Sequence, residues 1–166
     1  MERVEVRTSD KAIRNGFFAA LFIIVLSLIF LVFLRSGILG TILALALLLC
    51  GLYILISLKK TKEVIVYIFD DVGLHVHLGK GRYAILYWSN IELEGHGVFK
   101  INGILHVSFK LRDVESYTKQ LDGINKFVAK RFYRGLTGTE VTLPIENYTV
   151  SPDMFLEMVG QRVSSY

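Results

Sequence analysis

Two uncharged apolar runs, residues 16–34 and 38–58, constrain this chain more than anything else in it. The first is 19 residues long, 15 of them Leu, Ile, Phe or Val, and the second is 21 residues long. At about 1.5 Å rise per residue, helices of these lengths measure roughly 28 and 31 Å, which is the thickness of a bilayer's hydrocarbon core. Summed over the first run, insertion is favoured by several kcal/mol. The runs carry most of the apolar excess of a chain that is 52% hydrophobic with mean hydropathy +0.48. That content excludes a disordered tail, and a single cysteine excludes a disulfide-stapled domain.

The sequence therefore predicts a transmembrane helical hairpin over residues 16–58, with a basic leader over 1–15 and a domain over 59–166. A cleaved signal peptide competes for the first run. Its apolar stretch is too long for that, no small-x-small cleavage site follows, and a second span begins within four residues. The linker Arg35-Ser36-Gly37 is short enough to force antiparallel neighbours. Gly16 with Ala20, and Gly40 with Ala44, are small pairs that permit close helix contact and are weak evidence for a dimer. Neither run contains Asp, Glu, Lys, Arg or His, which argues against a proton relay or an ion pathway. Cys50 reads as a small apolar residue.

Basic residues give the orientation. Arg3, Arg7, Lys11 and Arg14 precede the hairpin, Lys59, Lys60 and Lys62 follow it, and only Arg35 lies in its turn. Lys and Arg remain on the cytoplasmic side, so both termini are expected inside.

The 108 residues from position 59 onward carry 14 Lys and Arg against 12 Asp and Glu, and are long enough for a core of their own. Strand signals come first: residues 64–69, the alternation Leu74, Val76, Leu78, a turn at Gly79-Lys80-Gly81-Arg82, then residues 83–88, 91–94 and 98–101. Asn102-Gly103 is the strongest hairpin signal. It leads into Leu105, Val107, Phe109 and Leu111 on one strand face, with His106, Ser108 and Lys110 on the other. Helical signals follow. Asp113 caps a helix with Val114, Tyr117 and Leu121 on one side, and a second helix runs over about 124–133. A short strand at 139–143 precedes a closing helix that starts at Ser151-Pro152 and buries Phe155, Met158, Val159 and Val163. Strands followed by helices make an α+β domain.

The hairpin, the Tyr87-Trp88-Ser89-Asn90-Ile91 step, the strand-to-helix junction Phe109-Lys110-Leu111-Arg112-Asp113-Val114-Glu115-Ser116-Tyr117 and the strand Gly138-Thr139-Glu140-Val141-Thr142-Leu143 occur together. In this combination the chain resembles a group of bacterial inner-membrane proteins with two transmembrane helices and a PH-like cytoplasmic domain. The resemblance implies a partly open barrel or bent sheet closed by a C-terminal helix and tethered to the bilayer. It implies no catalytic or binding residues. The two-helix insert between Asp113 and Arg134 is longer than a plain PH-like hairpin needs.

Chemistry-bearing patterns are sparse. His75 and His77 share a strand face and could join His96 or His106 at a zinc ion, which would make a zinc-dependent enzyme the third reading. The spacing does not gather them, and His75, His77 and His106 are expected on solvated faces. Asp70 and Asp71 read as a turn, since adjacent strand residues point apart. Nucleophile elbows, zinc-protease and phosphate-loop motifs are absent, so no enzyme activity, metal or cofactor is expected. The informative stretch is residues 126–134, with Lys126, Lys130, Arg131 and Arg134, three aromatics and no acid. Lys126, Lys130 and Arg134 stand at i, i+4, i+8, with Lys119 alongside if the helix is continuous. Such a stripe suits an anionic lipid surface. The blander reading is a solvated helix face with Phe127 and Phe132 in the core. Nucleic acid is not expected at a nearly charge-balanced domain held at a bilayer. The sequence thus points to a non-enzymatic, membrane-anchored binding module for a protein partner or anionic lipid. An immunity protein that neutralises an interbacterial toxin is the alternative.

Overall fold

A computed structural model describes residues 2–33 and 37–166, the side chains of residues 33 and 93–96 excepted. Arg35 and Ser36 of the expected turn lie outside the described residues, as does the side chain of His96. The chain divides into two compact units, Thr8–Val64 and a second made of Met1–Arg7 with Ile65–Tyr166.

The first unit is the hairpin, α1 (Asp10–Phe33) and α2 (Ile38–Glu63). Both helices are long and apolar enough to cross a membrane. They are antiparallel, with Lys62 near the end of α2 3.2 Å from Asp10 at the start of α1. Ala20 and Ser27 of α1, and Ala44 and Gly51 of α2, are buried between them. A Cβ at Gly51 would stand 2.7 Å from Ile24 Cγ1, so the close approach requires glycine there. The small residues thus serve contact inside the hairpin. Ser27 satisfies its buried hydroxyl by donating to Ile23 and Ile24 carbonyls at 2.9 and 2.8 Å.

The second unit is α+β, with two antiparallel sheets and no closed barrel. One sheet has the order β1-β2-β3-β4 (Val4–Arg7, Ile65–Phe69, Gly73–Gly79, Arg82–Tyr87). The other has the order β5-β6-β7 (Ile91–Ile101, Ile104–Leu111, Val141–Pro144). β5 is one strand with an irregular register between Glu92 and Gly97, where the sequence suggested two separate strands. A 3-10 turn over Trp88–Asn90 joins the sheets, so Trp88 sits just past β4 and donates its indole N–H to the Asp70 carbonyl at 2.8 Å. Asn102 and Gly103 both have positive φ, as their hairpin turn requires.

β1 was not foreseen. Residues 1–15 read as a basic leader, yet Val4–Arg7 pairs antiparallel with β2, Val6 opposite Tyr67. On its other side, Arg7 and Thr149 bond through Thr149 N to Arg7 O at 2.8 Å and Arg7 N to Thr149 Oγ1 at 3.1 Å. The chain therefore passes from β1 through the hairpin and re-enters the same sheet at β2, beside β1. The two flanks of the hairpin are neighbours in one sheet.

The core lies between the sheets and the closing helix α6 (Pro152–Val163). Tyr67, Phe69, Trp88 and Phe155 fill its centre, each at most 1% exposed. Phe155 meets Tyr67 and Phe69 edge to face at 5.4 and 5.0 Å, and burial of each such ring is worth about 2–3 kcal/mol. Ser151 caps α6, accepting from Met154 N at 3.3 Å, and the stripe Phe155, Met158, Val159, Val163 is buried as its spacing predicted. Arg162 is buried as well, its guanidinium 5.4 Å from the Phe69 ring centre.

Candidate functional site

Between β6 and β7 the chain forms a helical insert, and the insert builds the features that have no purely structural explanation. It starts at α3 (Val114–Thr118). Asp113 caps it, accepting from Glu115 N at 2.9 Å and Ser116 N at 3.2 Å. Asn90 holds this cap: its side-chain amide donates to Asp113 O at 2.7 Å and its carbonyl accepts from Asp113 N at 2.6 Å. Gln120 then docks on the edge of β4. Its carbonyl accepts from Ile85 N at 2.8 Å and its amide donates to Ile85 O at 3.1 Å, so one side chain occupies the hydrogen bonds a further strand would make.

A second start follows at Asp122, which accepts from Asn125 N at 3.2 Å and from Arg82 at 2.6 Å. These donors, the Asn125 backbone first, hold the Asp122 carboxyl below its ordinary range. From there α4 (Gly123–Phe127) runs into a π-helical turn, Val128–Tyr133, and on to α5 (Arg134–Thr137). Gly138, with φ of 75°, ends it. Lys119 lies at the end of α3, apart from this segment, and pairs with Glu115 at 3.1 Å. The helix is not continuous from Lys119 onward.

The four basic residues singled out from the sequence all lie on this segment. Lys126 is half-buried, and Lys130, Arg131 and Arg134 are exposed. Arg134 reaches Glu140 at 3.4 Å. Phe127 and Phe132 are not in the core: they are 66% and 50% exposed, as are Ile124 at 80% and Leu136 at 55%. The π turn changes which residues face inward, because it fits an extra residue into the turn. Ala129 is buried, Val128 and Tyr133 are partly covered, and the two phenylalanines turn outward. The segment is amphipathic in an unusual sense, with cations and large apolar side chains sharing its outer surface.

Beneath the π turn is a cavity of about 220 Å³. It is bounded by β2, β3 and β7 on one side and by the insert on the other, and four tyrosines line it: Tyr67, Tyr117, Tyr133 and Tyr148. Tyr67 donates to the Pro144 carbonyl at 2.8 Å and meets Tyr148 edge to face at 5.3 Å. Burial, then the neighbouring phenol of Tyr148, raises Tyr67 well above the usual tyrosine value. Burial likewise raises Tyr117, with Tyr133 adding to the effect, and burial raises Tyr148. The Tyr117 hydroxyl makes no hydrogen bond among the described residues although the residue is only 5% exposed. Glu140, Asn125, Thr142 and His77 complete the polar part of the wall.

The histidines are individually engaged. His75 Nε2 lies 2.6 Å from Asp70 Oδ2, His77 packs against the Tyr83 ring at 5.2 Å, and the buried His106 places Nδ1 2.9 Å from the Ile104 carbonyl. His75 and His77 are half-buried, whereas His106 is buried and does not occupy the solvated face expected for it. Ser108 on the same face of β6 is buried too, standing opposite Thr142, which meets Thr137 of the insert at 3.0 Å. Asp70 shapes its turn as expected, accepting from Val72 N and Gly73 N at 2.9 and 3.0 Å. Among the described residues, no three His, Cys, Asp or Glu side chains gather as a metal site would require.

Comparison of the chain with protein-family models, with curated proteins and with solved structures returned no match.

Proposed function

We propose that this protein is a non-enzymatic binding module anchored in the bacterial inner membrane by α1 and α2. In this reading its sheet domain is PH-like and cytoplasmic, and the segment from α4 to α5 rests on anionic lipid. The observation that carries the reading is the shared exposure of Ile124, Phe127, Phe132 and Leu136 with Lys130, Arg131 and Arg134. Large apolar side chains beside cations suit a helix lying in a bilayer's interface, where the chains enter the acyl boundary and the cations meet head groups. Each Lys or Arg near an anionic leaflet contributes about 1 kcal/mol.

The hairpin supports the anchor. Only 11% of each apolar window is buried, whereas a soluble core helix of that hydropathy would be largely covered by protein. Because β1 and β2 pair, the two flanks of the hairpin share one side of any bilayer it spans, and the Lys and Arg on both flanks favour the cytoplasmic side. The two antiparallel sheets with α6 over the core fit the PH-like expectation.

The test uses the full chain in lipid nanodiscs, with Phe127→Trp as reporter and brominated lipid as quencher. Quenching is expected with anionic lipid present, and is expected to fall when Lys126, Lys130, Arg131 and Arg134 are all replaced by Gln. Emission unchanged by brominated lipid in both anionic and zwitterionic discs would overturn the lipid role and leave a protein partner as the occupant of this surface.

A further inference from the structure

We infer that the cavity beneath the π turn is a binding site for a small, neutral molecule rich in hydroxyl groups. Three observations carry this, none of which depends on the lipid reading. The first is the convergence of phenols: Tyr67, Tyr117, Tyr133 and Tyr148 come from four separate parts of the chain and line one space of about 220 Å³. That volume takes a molecule the size of a cyclic polyol.

The second is the unpartnered hydroxyl of Tyr117. The residue is 5% exposed and has no hydrogen-bond partner among the described residues. The one polar side-chain atom among them that is sealed in protein without a partner is Arg162 Nε. The Tyr117 hydroxyl is therefore not sealed, and it opens to the cavity its ring lines. Among the described residues Tyr133 likewise makes no hydrogen bond through its side chain, so two phenolic groups stand ready to donate and accept.

The third is the charge balance of the wall. Burial keeps Tyr67, Tyr117 and Tyr148 protonated. The carboxylate in the lining, Glu140, is only 14% exposed and is matched by Arg134 at 3.4 Å. An anion would face Glu140, and a cation would have to compete with Arg134 for it. A neutral ligand with several hydroxyls meets neither penalty. It can use the phenols of Tyr117 and Tyr133 as donors and acceptors, with the apolar body of the ring against tyrosine faces.

The experiment is a titration of the full chain, labelled with ¹³C-tyrosine, in nanodiscs of zwitterionic lipid. Three probes are compared: myo-inositol, tetramethylammonium and inorganic phosphate. Saturable shifts of the Tyr117 and Tyr133 signals with myo-inositol are expected. Tyr133→Phe and Tyr117→Phe should each weaken that binding by about tenfold, equivalent to one lost hydrogen bond. Tyr83→Phe, outside the cavity, should leave it unchanged. Shifts with tetramethylammonium or phosphate alone would overturn the neutral class. No saturable shift with any probe, or inositol binding that survives both cavity variants, would overturn the site itself.

Discussion

The guanidinium of Arg162, in the closing helix, donates from Nη2 to the backbone carbonyl of Glu2 at 3.1 Å, across nearly the whole length of the chain. The same side chain reaches Met158 O at 3.5 Å and lies over the Phe69 ring. Together with the Thr149 bonds to Arg7, this contact holds β1 in the sheet domain from two sides. The N-terminal residues are therefore structural, and the hairpin is an excursion from a domain that precedes and follows it.

A fragment of residues 59–166 should accordingly fold poorly, because it lacks β1 and leaves the β2 edge unpaired. Joining residues 2–7 to 65–166 through a short flexible linker should restore a cooperative thermal transition. In the full chain, Val6→Asp, at a position 0% exposed, should cost about 3 kcal/mol or more. Circular dichroism melts of the two fragments read the first effect, and denaturant titration reads the second.

Replacing Arg162 by Ala should lower stability by about 2–3 kcal/mol, through lost packing on Phe69 and an unmet Glu2 carbonyl. Arg162→Met should cost less, since it retains the apolar contact and removes a buried charge whose Nε has no partner. Equal losses in the two variants, measured by denaturant titration, would show that the hydrogen bond and not the packing dominates.

Asp70 gives a pH dependence. Burial opposes its charge, but the N–H groups of Gly73 and Val72 and the nearby His75 outweigh burial and lower its carboxyl below the ordinary value of 3.8. A carboxyl depressed in the folded state contributes stability that is present above 3.8 and is lost as pH falls through the lower folded value. Asp70→Asn should remove this component, so the stability of the variant should fall less steeply on acidification than that of the native chain.

In the hairpin, Gly51→Leu should separate α1 from α2, because even a Cβ at that position meets Ile24 Cγ1 at 2.7 Å and the Ala20 carbonyl at 3.3 Å. A lowered melting temperature of the detergent-solubilised protein is the expected readout. Gly37→Ala, with nothing within 4 Å of its Cβ position, is the matched control.

The parts legible in the sequence were those written in local periodicity. The two apolar runs, the capping side chains of Asp113 and Ser151, the turn at Asn102 and the stripe of α6 each depend on residues a few positions apart. β1 was hidden because its alternation of Val4 and Val6 with Glu5 and Arg7 spans only four residues, and its partner strand lies beyond the hairpin. The blander of the two readings put Phe127 and Phe132 in the core on a regular helical period, and the π turn breaks that period. The cavity had no sequence signal: its tyrosines stand at 67, 117, 133 and 148, with no spacing that would bring them together. His106 looked solvated for a related reason, since nothing local announces that a polar strand face will be covered.

In the proposed reading the hairpin spans the membrane and its two flanks belong to one domain on the cytoplasmic side. Its most direct test is labelling of single cysteines at Arg3 and at Lys100, in a Cys50→Ser background, with a membrane-impermeant maleimide. Both sites should label in inverted inner-membrane vesicles and neither in intact spheroplasts. Labelling of the two sites from opposite sides, or of both from outside, would contradict the account.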